Sequence, residues 1–333
     1  MHGGSKCFEL TQLLLWAVYC ELRLTREFNG MKIQSECGVT TARISVENGF
    51  NLFSIMVETI ELLWHDERFL SGEASASGSG TPILFPIPGR LNGQIYNYAG
   101  REYRIDSDDG NGNAIHGFVL NRPWRVLKQN GNTIIGEFQA SVDDPELLSQ
   151  WPSDFTIRCR YTAVADGVEA YYEIENPGQD DLPCGLGTHA YFRMPLGGKA
   201  AEECVVTCPV SEHWPLENML TTGEVNPIDE TQPFDSGITF GSLFLDDVFS
   251  GISFESGRAT AGIFDPQSSK RLVYTWDEAC EFCVMYTPPH RQAICMEPYT
   301  LVPGGLAFDS GDHGLIVLKA GESFTHNMEI RLQ

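Results

Sequence analysis

From Val39 onward the chain is broken into short runs in which polar and apolar residues alternate, each closed by glycine, proline or an Asn-Gly turn. Ala42-Arg43-Ile44-Ser45-Val46 stands before Glu47-Asn48-Gly49, and Phe155 to Tyr161, Ala170 to Ile174 and Arg271 to Trp276 repeat the pattern. A period of two is that of a strand with one face in a core. No segment keeps helical spacing for long, and Pro145 to Ser149 is at most a single turn. Turn signals every ~8–12 residues predict antiparallel sheets packed face to face, an all-β fold built as a large antiparallel β-sandwich. The small-residue stretch Ser71 to Gly80 reads as a flexible loop between strands. No repeat or linker divides the chain, which predicts one β-domain over residues 31–333.

The 333 residues are 42% hydrophobic and 20% charged, enough to bury a large core. Lys plus Arg number 22 against 45 Asp plus Glu, a net charge of −23, which argues against binding a nucleic-acid backbone and favours a neutral small molecule. The ten cysteines form no regular framework, and Cys280-x-x-Cys283 has no second pair at zinc-ribbon spacing. They read as mostly reduced small hydrophobes, which suits a cytoplasmic protein. Residues 1–30 differ in character. The apolar run Leu10 to Cys20 is flanked by Glu9 and Glu21, lacks a cleavage site, and is too short for the roughly 20 apolar residues of a membrane span. The expectation is an N-terminal extension outside the fold, with Met31 as the natural start and a poorly matched export signal as the second reading. No membrane partner is expected. There is no Walker loop, Gly-x-Ser-x-Gly or His-Glu-x-x-His to support nucleotide, hydrolase or zincin chemistry.

Three stretches, Asn113 to Phe118 with His116 among them, put one titratable group among apolar or glycine neighbours, where a shifted pKa becomes possible. Gly185-Leu186-Gly187-Thr188-His189-Ala190-Tyr191-Phe192 carries one imidazole; read bare, His189 could equally be a core histidine bonded to a carbonyl. Ile294-Cys295-Met296-Glu297-Pro298-Tyr299-Thr300 encloses one carboxylate, and buried glutamates are rare unless used or paired. A salt bridge from Glu297 to Arg90 or Arg291 is the structural alternative. His116 follows the acidic loop Asp106 to Gly112, which lacks the glycine and twelfth ligand of a calcium loop and reads as a solvated turn. Asp246-Asp247 sits in an apolar frame, and Arg90 in a loop after Phe85-Pro86-Ile87-Pro88-Gly89.

Taken in order, these stretches resemble the aldose 1-epimerase (galactose mutarotase) family along nearly the whole chain after Met31. The resemblance rests on Phe85 to Arg90 with Asn97 to Ile105, on Asn113 to Phe118 with Arg122-Pro123-Trp124, and on Trp151 to Phe155 with Tyr161. It rests further on Gly185 to Phe192, with Ala190 where the family commonly has proline, on Leu245-Asp246-Asp247, and on Ile294 to Thr300. It implies a galactose mutarotase-like supersandwich with an open sugar cleft, interconverting the α and β anomers of a free hexose such as glucose or galactose without cofactor or metal, as a monomer or homodimer. By motif it implies Glu297 as general base, His189 as general acid, and His116, Arg90 and Asp246 as substrate-binding residues, with Asp247 the neighbouring alternative to Asp246. Trp124 or Phe249 would stack on the sugar. A hexose-6-phosphate 1-epimerase, with Arg122 and Arg125 on the phosphate, is the nearest alternative, and a carbohydrate-binding relative without turnover the alternative of another class.

Overall fold

The computed structural model describes residues 30–228, 233–308 and 313–333. The expected extension over residues 1–30 therefore lies, apart from Gly30, outside the described residues, and the first strand begins at Met31.

Two large antiparallel sheets carry the molecule. One has nine strands, in the order Ile238–Thr239, Val205–Thr207, Arg258–Asp265, Lys270–Asp277, Ser323–Leu332, Gly167–Glu175, Thr156–Val164, Thr133–Gln139, Arg125–Gln129. Its long strands alternate because one face meets the core and the other meets water: in Lys270–Asp277, Leu272, Tyr274 and Trp276 are buried and their neighbours are not. The second sheet orders Asn226–Pro227, Glu212–Trp214, Asp246–Ser250, Phe282–Tyr286, Ala293–Tyr299, Gly187–Thr188 and Ile83–Leu84, with Ala190–Arg193 also paired to Ala293–Tyr299. The sheets meet where the Tyr274 hydroxyl lies 3.0 Å from Thr188 Oγ1 and the Phe192 and Tyr274 rings stand 5.0 Å apart. The β-sandwich expectation holds. Among the described residues helix is confined to Ala140–Asp143 and short 3-10 turns such as Pro145–Ser149.

The strand Ala293–Tyr299 is the exception to the alternation that made the others legible, since all seven of its residues are buried. Ile294 and Met296 enter the main core, whereas Cys295 and Tyr299 join two smaller clusters on the opposite face. Successive side chains of a strand point to opposite faces, so Glu297 shares the face of Cys295 and Tyr299, directed away from the nine-stranded sheet. The Ser71 to Gly80 stretch, expected to be a free loop, is tied down. The Asn51 side-chain amide donates to the Ser79 carbonyl at 2.8 Å, and the Tyr191 hydroxyl donates to the Ser77 carbonyl at 3.0 Å.

Candidate active site

His189 joins Gly187–Thr188 to Ala190–Arg193, and its backbone N–H donates to the Pro82 carbonyl at 3.0 Å. Gly187 is needed there: a Cβ on it would collide with the Tyr299 ring. His189 and Tyr191 point to the same face, their rings stacked at 4.7 Å and 3°. That face is also the one Glu297 occupies, because Tyr191 pairs with Cys295. His189 Nδ1 thus comes 3.3 Å from Glu297 Oε1, off hydrogen-bond geometry, leaving Nδ1 buried and without a partner among the described residues. The residues are 7% and 1% exposed, so neither charge is free to relax into bulk water. The Tyr299 hydroxyl donates to the other carboxylate oxygen, Oε2, at 2.5 Å.

Arg90 and His116 arrive on two segments paired through Arg90 and Ile115, with the His116 N–H donating to the Gly89 carbonyl at 2.8 Å. His116 takes φ 61° and Gly117 φ 67°, and a side chain on Gly117 would meet the Phe85 carbonyl oxygen. This tight left-handed turn presents the His116 ring edge-on to His189 at 5.7 Å. Arg90 Nε donates to Asp109 Oδ2 at 3.0 Å, and Asp109 also accepts from the N–H groups of Asn111 and Asn113.

These groups line one cavity of about 190 Å³, below the roughly 300–1,000 Å³ of pockets for drug-sized ligands. Arg90, His116, His189, Asp246 and Glu297 supply its polar wall; Leu216, Met219, Val248 and Val284 supply an apolar one. Asp246 and Asp247 part company by strand alternation: Asp246 faces the cavity, while Asp247 lies 3.0 Å from His213 Nε2.

Burial dominates the electrostatics. It pushes the Glu297 carboxyl well above the usual carboxylate range, opposed by the Tyr299 hydrogen bond. It drives His189 well below an ordinary histidine, with His116 adding like-charge repulsion, and lowers His116 to about 3. Asp246 is raised by partial burial, with Arg90 pulling against the rise. Burial also raises Asp109, but hydrogen bonds from Asn111, Asn113 and Arg90 outweigh it and hold that carboxyl at about 2.

The five site residues expected from sequence thus share one cavity. The neighbours did not all follow. Trp124 packs in the core against Phe50 at 5.5 Å, and Phe249 packs against Phe234 at 5.3 Å; Tyr286 and Tyr299 are the aromatic residues lining the cavity instead. Arg122 pairs with Asp144 and Arg125 with Asp143 and Glu137, all away from the cavity. Glu297 is met by neither Arg90 nor Arg291, which bonds Glu202. Asp109, read as a solvated turn residue, has a side chain only 2% exposed and orients Arg90. Its signal in the sequence was the Asp-x-Asn-x-Asn spacing, which lets one carboxylate gather two later N–H groups. The hairpin Leu216–Glu217 to Leu220–Thr221, which brings in Leu216 and Met219, went unread; its turn residues Asn218 and Met219 both take positive φ.

Among the described residues one set of three donors is close enough to hold a cation: His189, Cys295 and Glu297, within 4.8 Å. The Cys295 thiol among them is wholly buried, and burial pushes it well above its ordinary value. No described helix is long and apolar enough to cross a membrane.

Comparison with known proteins agrees with this architecture. An uncharacterized protein of Escherichia coli, YphB, is 23% identical over 292 residues, covering 82% of this chain and 92% of that protein. A galactose mutarotase-like protein of Clostridium acetobutylicum superposes with a TM-score of 0.81 at 20% identity, covering 89% of this chain and 93% of that one. A galactose 1-epimerase of Lactobacillus acidophilus superposes at 0.70 with 15% identity, covering 91% and 93%. The family model for aldose 1-epimerase matches residues 57–331, and with a cavity that joins a buried carboxylate to an imidazole, this chain belongs to the aldose 1-epimerase family.

Proposed function

We propose that the protein is an aldose 1-epimerase acting on a free hexose such as glucose or galactose. Glu297 is the general base, His189 the general acid, and His116, Arg90 and Asp246 hold sugar hydroxyls. The observation that carries the reading is the 3.3 Å approach of Glu297 and His189 on the wall of a monosaccharide-sized cavity. Glu297 takes the proton from the anomeric hydroxyl, O1 becomes a carbonyl, the bond from C1 to the ring oxygen breaks, and His189 protonates the ring oxygen. The open-chain aldehyde turns about its C1–C2 bond. The returning hydroxyl attacks the other face of C1, gives its proton back to His189, and Glu297 returns its proton to O1. Both oxygens sit on C1, so an acid and a base a few ångströms apart suffice, and the pair carries one proton throughout.

A free sugar is favoured over a sugar phosphate. Among the described residues Arg90 is the one guanidinium lining the cavity, it is already bonded to Asp109, and Asp246 and Glu297 would repel a phosphate. The enzyme is read as a cytoplasmic monomer or homodimer with a single domain over residues 31–333. Polarimetry of freshly dissolved α-glucose and α-galactose, alongside an anomerisation assay on glucose 6-phosphate, tests the reading. Acceleration of the free sugars is expected. Acceleration confined to the phosphate, or binding of hexose without any rate increase, refutes it.

A further inference from the structure

The carboxylate of Glu297 has one hydrogen-bond donor among the described residues, the phenol of Tyr299. This is a built contact. Tyr299 is 1% exposed, lines the same cavity, lies two residues along the same strand face, and has its ring lodged against the space left by Gly187. At 2.5 Å the bond falls in the range of charge-assisted O–H···O⁻ bonds, roughly 2.5–2.7 Å. The other oxygen, Oε1, faces His189. We propose that Tyr299 is a positioning residue: it fixes Oε2 of Glu297, so that Oε1 is the atom that receives the anomeric proton.

The inference deepens the epimerase reading and rests on it. Burial pushes both members of the pair toward their neutral forms, the wrong allocation for Glu297 as base and His189 as acid. A phenol bonded to the carboxylate favours its ionised form and works against that tendency. Of the other titratable groups around Glu297, Cys295 on its own strand, Tyr191 and Cys283 on the flanking strands, and Asp246 across the cavity carry no positive charge, and burial drives His189 and His116 toward their neutral forms. Arg90, bonded to Asp109, favours the ionised carboxylate only through space, a smaller effect than the Tyr299 bond.

The test is Tyr299→Phe, which removes one oxygen and keeps the ring, read by the pH profile of kcat/KM and by infrared difference titration of the Glu297 carboxyl, with Glu297→Gln assigning the band. Hydrogen bonds to charged groups contribute about 1.5–3 kcal/mol and one pH unit is ~1.36 kcal/mol, so the acid limb and the infrared midpoint should both rise by about 1–2 pH units. The kcat should fall by about tenfold, while KM changes less than about threefold. Site-specific replacement of Tyr299 by difluorotyrosine, a stronger donor of the same shape, should move both midpoints down and covers the case of a Phe variant that fails to fold. An unmoved carboxyl midpoint in either folded variant, or an effect on KM alone, overturns the inference. Wild-type protein without mutarotase activity would sink the epimerase reading instead, and the infrared midpoint would still report on the Tyr299 bond.

Discussion

Replacing Glu297 by glutamine separates catalysis from stability in one substitution. The amide oxygen can keep the Tyr299 hydroxyl bond at the Oε2 position. The NH2 group then stands where Oε1 was, 3.3 Å from His189 Nδ1, a buried nitrogen with no partner among the described residues. The substitution removes a carboxylate whose charge burial disfavours, and a slight turn of the amide away from the misaligned Oε1 position would let it satisfy the orphaned nitrogen, a hydrogen bond that contributes about 1 kcal/mol. The melting temperature should therefore stay level or rise by about 2–4 °C, the scale for a large domain. Catalysis should go the other way. General base catalysis contributes about 10²–10⁴ in rate, equivalent to ~2.7–5.5 kcal/mol of barrier, and glutamine cannot accept the anomeric proton. Polarimetry at saturating sugar and thermal denaturation of the same preparation measure the two effects together. Full activity in Glu297→Gln would place the base elsewhere, and a rate loss accompanied by a large fall in melting temperature would show that Glu297 serves packing.

Three further outcomes are expected. His116 has its pKa depressed from ~6.5 to about 3, so the unfolded chain binds the extra proton between those values. Its contribution is intact above pH ~6.5 and is lost as pH falls: its own share of the loss from pH 7 to 5 is about 2 kcal/mol in urea denaturation, to which His189, lowered likewise, adds and which raised Glu297 opposes, so His116→Asn should flatten the slope. Gly117→Ala combines a φ of 67° with a clash on the Phe85 carbonyl. It should cost more than the ~1–2 kcal/mol of a left-handed residue by thermal melt and raise KM by displacing His116; an unchanged KM would detach His116 from the sugar. Asp246→Asn should raise KM by about tenfold or more, whereas Asp247→Asn, which touches His213 on the other face, should change it by less than about threefold, both by initial-rate polarimetry. Equal effects would mean the strand is out of register.

What the sequence disclosed divides along a physical line. Elements with one wet face announced themselves, because alternation in strands such as Lys270–Asp277 is the local trace of a global core. Glu297 and His189 were legible as titratable groups in apolar company, and the resemblance to a known family joined them. Burial that depends on a distant partner left no such trace. Trp124 looked like a sugar platform and is core, because Phe50 covers it from 74 positions away in sequence. Asp109 looked solvated, because Arg90 reaches it across the two paired segments. Tyr299 stood beside Glu297 in the sequence as one more apolar neighbour; only strand geometry turns its hydroxyl onto the carboxylate.

The strand that holds Glu297 is wedged on both sides, with Ile294 and Met296 in the sandwich and Cys295 and Tyr299 toward the cleft. Laboratory evolution of sugar preference has little room there, since any repacking drags the proton-transfer geometry along. The hairpin Leu216–Glu217 to Leu220–Thr221 offers the opposite: it forms its own small sheet, belongs to neither large one, and still sets Leu216 and Met219 on the cavity wall. Libraries built on that hairpin should retune which aldose enters while leaving the acid and base where they are.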